Sequence, residues 1–137
     1  MTAQVIELVN ENGSASYQDV CNEALSKLVI SSQVLSGSKI SKCHYEQVVF
    51  TECLFYANEF QGVTFINCIF ENCNFEFTHI RNCKFLNCNF NNCTWKASST
   101  INTIYKDCDL DISLSKLTEV NGNELSFSFD FQLPIAC

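Results

Sequence analysis

Cysteine is the residue type with the most chemical potential in this sequence, which contains 10 Cys but only 2 His. Thiolates are nucleophiles and metal ligands, so a zinc site is the first possibility to consider. Neighbouring cysteines follow a C-x4-C spacing, as at Cys83, Cys88 and Cys93. The C-x2-C pairs that fold four ligands around a metal do not occur. We therefore expect no metal site and no cofactor.

The positions of the cysteines favour a structural role instead. Eight of the 10 Cys lie two positions before a large apolar residue, in a slot that Val63, Ser98 and Thr103 also occupy. Interchange with small residues is typical of a buried small hydrophobe. The N-terminus has no basic segment followed by an apolar run, and no stretch is long enough to cross a bilayer. We expect a cytoplasmic protein whose thiols stay reduced.

Other catalytic groups are scarce. His44 and His79 fall on positions that we expect to face outward, and neither has a thiol or carboxylate placed to orient it. Glycine-rich phosphate loops and the HExxH and GxSxG motifs are missing from the sequence. The sequence therefore predicts no catalytic residues and a protein that is not an enzyme.

Large apolar residues recur with a five-residue period, and this period determines the structural elements that position the cysteines and histidines. From Ile40 to Leu110, an aromatic or large aliphatic residue occupies every fifth position except Thr100. This period matches neither the α-helix nor the β-strand, and fixed-period self-similarity is typical of repeat architectures. The members between these ends are Tyr45, Phe50, Phe55, Phe60, Phe65, Phe70, Phe75, Ile80, Phe85, Phe90, Trp95 and Tyr105.

Segments such as CNFEF, CKFLN and CNFNN resemble the pentapeptide-repeat family over residues 38–112, about fifteen units. The resemblance implies a right-handed, four-sided parallel β-helix with twenty residues in each coil. Residues twenty apart would then stack, for example Phe50 on Phe70 and Cys68 on Cys88. The turn position is rich in a residue that tolerates left-handed backbone, namely Asn67, Asn72, Asn82, Asn87, Asn92 and Asn102.

We expect one domain, with the solenoid at 36–114, an N-terminal arm and capping helix within 1–35, and a C-terminal cap strand within 115–137. The helix follows from an amphipathic stripe of apolar residues after a capping box at Ser16 and Asp19. The strand follows from strict alternation over residues 125–133. This strand either caps the coil or pairs two copies, so the chain is a monomer or a homodimer. The stripe comprises Tyr17, Val20, Cys21, Ala24, Leu25, Leu28 and Val29.

Apolar residues at outward positions indicate a binding surface. In the twenty-residue register Val49 stacks under Ile69, and Ile66 stacks under Leu86. We expect these four to form one continuous patch across two adjacent sides, which reads as a protein-binding surface unless a terminal segment covers it. Its rim comprises Glu46, Glu71, Lys84 and Asn89.

The sequence thus predicts a non-enzymatic protein-binding module of the immunity or inhibitor type, with a toxin or another protein as its partner. The family resemblance implies an alternative, because some members mimic DNA and bind and protect DNA gyrase or topoisomerase. Residues 38–112 carry eight acids and six bases, so this rod is nearly neutral. With 15 acidic and 8 basic residues and no basic stripe, direct nucleic-acid binding is disfavoured.

Overall fold

Short parallel strands recur every five residues along the protein. The computed structural model describes residues 14–16, 19–117 and 123–126. Each strand pairs with the strands twenty residues before and after it, as Phe70 does with Phe50 and Phe90. Four strands therefore complete one coil, and the described residues form an all-β parallel solenoid of about four coils.

The strands lie on four sides, numbered here in chain order. Sides 1 and 2 are five-stranded parallel sheets, and sides 3 and 4 together form one eight-stranded sheet. Side 1 contains β1 Ser14–Ser16, β4 Val34–Ser36, β7 Leu54–Tyr56, β11 Asn74–Glu76 and β15 Thr94–Lys96. Side 2 contains β2 Asp19–Cys21, β5 Lys39–Ser41, β8 Glu59–Gln61, β12 His79–Arg81 and β16 Ser99–Ile101. Side 3 contains β9 Thr64–Ile66, β13 Lys84–Leu86, β17 Ile104–Lys106 and β18 Glu124–Ser126, and side 4 contains β10 Ile69–Glu71 and β14 Asn89–Asn91. The eight-residue strands β3 Ala24–Ser31 and β6 His44–Thr51 turn the corner from side 3 to side 4.

In the three-residue strands from β2 to β17 the middle residue faces the interior, which explains the five-residue aromatic period. Phe70 stacks between Phe50 and Phe90 with ring centroids 4.9 Å and 4.7 Å apart. On side 1 Phe75 stacks against Trp95 at 3.9 Å. Each fully buried aromatic side chain contributes about 1.5–3 kcal/mol, so these columns are the main source of stability.

The missing aromatic at Thr100 is replaced by a polar contact. Its side chain is buried, and its hydroxyl lies 2.7 Å from the hydroxyl of Tyr105. The Asn123 side chain accepts a hydrogen bond from Thr103 N–H at 2.9 Å and donates one to the Thr100 carbonyl at 2.9 Å. These bonds satisfy polar groups in the last coil.

Left-handed backbone forms the corners, as the asparagines predicted. Asn67, Asn87 and the four other turn asparagines have φ between 49° and 56°. The corner N–H groups of Asn67, Asn72, Asn82 and Asn87 each donate to a carbonyl one coil further on, for example Asn67 N–H to the Leu86 oxygen at 2.9 Å. A hydrogen bond of this kind ties neighbouring coils together at the corner.

The predicted N-terminal helix is wrong. Residues of its stripe lie in β2 and β3, and the inward positions Val20, Leu25 and Ile30 extend the five-residue period. Ser16, the predicted helix cap, belongs to strand β1. The solenoid therefore begins before residue 36, the predicted boundary, because aliphatic residues fill the slots that aromatics fill later in the chain.

At the C-terminal end a short helix and one further strand follow the coils. Helix α1 spans Ile112–Leu117 and buries Leu114. Strand β18 pairs with β17 in the solenoid register, with Leu125 opposite Tyr105. Most of the predicted strand 125–133 lies outside the described residues, so a homodimer through that strand stays a prediction.

The cysteine slot behaves as predicted in the described part of the chain, where all nine cysteines are free thiols. Eight of them are buried, and each of these sulfurs has a hydrogen-bond acceptor: Cys68 Sγ donates to the Tyr45 carbonyl at 3.5 Å. In the same described residues, no group of three or more His, Cys, Asp or Glu side chains could hold a metal ion. No described helix is long and apolar enough to span a bilayer.

Candidate protein-binding site

The corner between sides 3 and 4 carries the apolar residues that the sequence singled out. Strand pairing aligns Val49 with Ile69 on side 4 and Ile66 with Leu86 on side 3. All four side chains are half-buried and face outward. The stacking predicted from the twenty-residue register is therefore present.

The predicted continuous patch is nevertheless divided. Asn67 lies in the chain between Ile66 and Ile69, at the corner itself, with Gln47 and Asn87 at the equivalent corners of the adjacent coils. All three amide side chains are exposed, and Asn87 Nδ2 donates to Asn67 Oδ1 at 2.6 Å. This amide column separates the apolar column on side 3 from the one on side 4.

An open cleft of about 470 Å³ runs along the side-4 half of this corner. We call it the corner groove. Its apolar lining consists of Val49 and Ile69, and amide side chains supply the rest. Pockets that bind partners typically combine an apolar lining with a few fixed polar groups. The groove is lined by Gln47, Val49, Asn67, Ile69, Asn87 and Asn89.

The charged residues predicted for the rim are spread over both sides. Glu71 lies on side 4, two residues beyond Ile69, and Glu46 and Lys84 lie on side 3. Glu46 Oε1 is 3.9 Å from His44 Nε2, with both side chains about half exposed. Only Glu71 shares a side with the apolar residues of the corner groove, so Glu46 and Lys84 belong to a different surface.

One apolar residue was missed at this site. Val29 pairs with Val49 and extends the side-4 column by one coil, and its side chain is 69% exposed. Sequence reasoning assigned it to the inner stripe of a helix. The signal that could have placed it is the series Val20, Leu25 and Ile30, which continues the five-residue period towards the N-terminus.

A second exposed apolar cluster lies on the diagonally opposite corner, between sides 1 and 2. Tyr56 and Phe77 meet edge to face, with ring centroids 5.6 Å apart. Phe77 has φ 52°, an uncommon conformation for a bulky residue. Ala57 and Ala97 occupy the same corner in the adjacent coils, which leaves space for the Phe77 ring.

Basic and acidic residues concentrate on different sides of the solenoid. The total count of charged residues in the sequence did not reveal this separation. Among residues 19–111, every lysine and arginine except Lys96 lies on side 2, on side 3 or at a corner of side 3. Acids dominate sides 4 and 1 and the corner between them. These acids are Glu52, Glu71, Glu76, Asp109 and Asp111.

Side 2 brings a histidine and a serine together. His79 Nδ1 lies 2.6 Å from Ser99 Oγ. Glu59, which precedes His79 in the same column, is bound by Arg81 Nη1 at 2.6 Å. The carboxylate is therefore engaged by the guanidinium, and the histidine–serine contact resembles a surface hydrogen bond rather than a nucleophile with an oriented base.

The twenty-residue parallel coil and its outward columns define a β-solenoid of five-residue repeats. Residues 41–94 match the family model for pentapeptide repeats, described as 9 copies. Residues 41–94 are therefore a stretch of pentapeptide repeats.

Comparison with solved structures gives distant likenesses. A trypsin-treated variant of QnrB1, a plasmid-mediated fluoroquinolone resistance protein, is 14% identical, with 84% of this chain and 70% of that chain covered and a TM-score of 0.34. The pentapeptide-repeat protein Rfr23 from the cyanobacterium Cyanothece 51142 is 10% identical, with 90% and 96% covered and a TM-score of 0.30. With TM-scores this low, neither likeness bears on the function of this chain. No curated protein matches the sequence.

Proposed function

We propose that this protein is a non-enzymatic binding module that holds a protein partner in the corner groove. The observation that carries the proposal is the groove itself, in which Val49 and Ile69 lie beside fixed amide groups. Apolar contacts supply affinity in such a site, and the amides select partners that can satisfy them.

The groove is built on backbone that is already ordered. Asn67 N–H and Asn87 N–H donate to carbonyls of the next coil at 2.9 Å and 2.8 Å. A preordered surface loses little conformational entropy on binding, which favours tight, stoichiometric association. This property suits an immunity or inhibitor protein that neutralises a toxin or another target.

The test is an affinity capture from extract of the native cells with Ile69→Glu beside a matched control. Leu54→Glu is that control, because Leu54 is a half-buried aliphatic residue that occupies the equivalent strand position on side 1. We expect wild type and Leu54→Glu to retain the same protein and Ile69→Glu to lose it. Equal retention by all three baits would exclude the corner groove.

The lateral separation of charge supports a second candidate, a DNA-mimicking protein that binds DNA gyrase or topoisomerase through sides 4 and 1. Five acids against Lys96 make this half of the rod acidic, although residues 38–112 as a whole are nearly neutral. Binding of this kind weakens steeply with salt, whereas binding in the corner groove changes little. Gyrase subunits retained by Ile69→Glu and released at high salt would favour this candidate.

A further inference from the structure

On side 3 four outward residues form a column that can pair with the same column of a second copy turned end over end. In that arrangement an acid faces a base, and apolar residues face each other. Strand pairing aligns Glu46 with Ile66, Ile66 with Leu86 and Leu86 with Lys106. The column therefore runs acid, apolar, apolar, base along the solenoid axis. Ser26 precedes Glu46, and Ser126 follows Lys106 in the backbone register.

We propose that side 3 is a self-association surface on which a second copy of this chain docks antiparallel. The two-fold axis runs parallel to the strands and passes between the coils of Ile66 and Leu86. It sets each Glu46 opposite the other copy's position 106 and each Ile66 opposite the other copy's position 86. An isologous interface requires this kind of self-complementarity, because the same residues contact one another from both copies.

The neighbouring columns are also compatible with this two-fold axis. In the other outward column of side 3, His44 falls opposite Ile104, and Thr64 falls opposite Lys84. At the corner, Asn67 falls opposite Asn87, so amide meets amide. No pair in these columns brings two like charges together, and amide groups can donate to and accept from each other.

On side 2 reversal pairs Lys39 with Glu59 but brings no two apolar residues together. The columns on sides 1 and 4 lack the property within the described residues. On side 1 reversal sets Tyr56 against Glu76. On side 4 reversal about Ile69 sets the exposed Val29 against Asp109. Among the described columns, side 3 therefore combines an opposite-charge pair with an apolar pair when it is reversed.

The strand spacing and the small area of side 3 determine how strongly two copies associate. Both copies repeat at the strand spacing of about 4.8 Å, so facing columns stay aligned over the whole side. One side of the coil is narrow, and small interfaces are typical of weak complexes, so we expect a dissociation constant in the micromolar range, about 1 μM or higher. The dimer shares the corner amides Asn67 and Asn87 with the corner groove, whose apolar residues Val49 and Ile69 lie on side 4.

The test is a charge reversal followed by sedimentation equilibrium of the full chain over a range of concentrations. Glu46→Lys and Lys106→Glu each place two like-charged pairs in the dimer, because symmetry applies every substitution twice. We expect each to raise the dissociation constant by about tenfold or more, since like charges directly opposite are destabilising. The double variant Glu46→Lys/Lys106→Glu restores both attractive pairs and is expected to dimerise like wild type. An equimolar mixture of the two single variants is expected to form the heterodimer.

The matched control reverses charges in the same strand positions on another side. Glu76→Lys and Lys96→Glu lie in adjacent coils on side 1 and are expected to leave the dimer unchanged. Circular dichroism of every variant checks that the coil is intact. A wild type that stays monomeric at millimolar concentration, or a dimer that single reversal does not weaken, would overturn the proposal. Retention of the captured partner by Leu86→Asp would show that the two surfaces act separately.

Discussion

At the scale of single residues, the buried thiol of Cys83 makes the fold sensitive to alkaline pH. Burial raises the pKa of Cys83 from 9.0 to about 11, because the thiolate would lose its hydration. Burial likewise raises the pKa of Tyr105. A group that keeps its proton longer in the folded state stabilises the fold below its unfolded pKa. That stability is lost as the pH rises from about 9 through 11.

Replacing Cys83 with valine should therefore reduce the sensitivity to alkali. Val63 and Cys83 occupy equivalent inward positions in adjacent coils, so the interior already accepts valine in this slot. Between pH 7.5 and pH 10 we expect wild type to lose about 1 kcal/mol more unfolding free energy than Cys83→Val. Urea unfolding at both pH values measures the difference. Equal losses would show that folding does not raise the pKa of the Cys83 thiol.

Single residues were also the scale at which the sequence was most informative. The asparagines predicted the corners, since few other residues adopt left-handed backbone at low cost. The sequence predicted the stacking of Val49 with Ile69 because that depends only on the twenty-residue register. The division by Asn67 was missed because the sequence argument considered only the apolar strand residues on both sides of the corner, whereas the corner amides lie between them.

At the scale of elements, the last coil is closed by one carboxylate that serves two neighbours. Asp111 Oδ1 accepts from Leu114 N–H at 2.9 Å and so caps helix α1. Its Oδ2 accepts from Cys93 N–H at 3.0 Å. The same side chain thus begins the helix and satisfies a backbone donor in the coil below.

Asp111→Ala is expected to lower the unfolding free energy by about 1–3 kcal/mol, the range for a lost cap and an unpaired buried donor. Asp111→Asn keeps one carbonyl acceptor and should lose less. Chemical denaturation gives the ranking, and hydrogen exchange at Cys93 N–H reports the local opening. Asparagine and alanine variants of equal stability would contradict the double role of Asp111.

Elements also show where sequence reasoning failed. The helix expected near residues 17–29 was inferred from a short window, in which a helical stripe and a five-residue period share several apolar positions. Val20, Leu25 and Ile30 are aliphatic, and Glu23 occupies a small-residue slot, so the repeat was hidden there. Pairing with the following coils decides the outcome, and such long-range pairing leaves no local signal.

At the scale of the whole molecule, the twenty-residue coil predicts which deletions the fold tolerates. Deleting residues 62–81 removes one coil and joins Gln61 to Asn82, which keeps every later residue on its side of the solenoid. Deleting residues 62–80 shifts the later residues by one position and moves the aromatics out of their inward slots. We expect the first variant to fold with reduced stability and the second to fail.

Circular dichroism and a thermal unfolding curve separate these two deletions. Their lengths differ by one residue, so a simple loss of mass affects both alike. Cooperative unfolding of both variants would show that the packing of the inward columns does not depend on this register.

The uniform pairing of coils also has a kinetic consequence. Every strand bonds to the strand twenty residues away, so each new coil closes a loop of one fixed length. The entropy of loop closure rises with loop length, so the cost of adding a coil stays constant however long the solenoid becomes. Folding can thus proceed as templated growth, in which each completed coil presents the edge on which the next one forms.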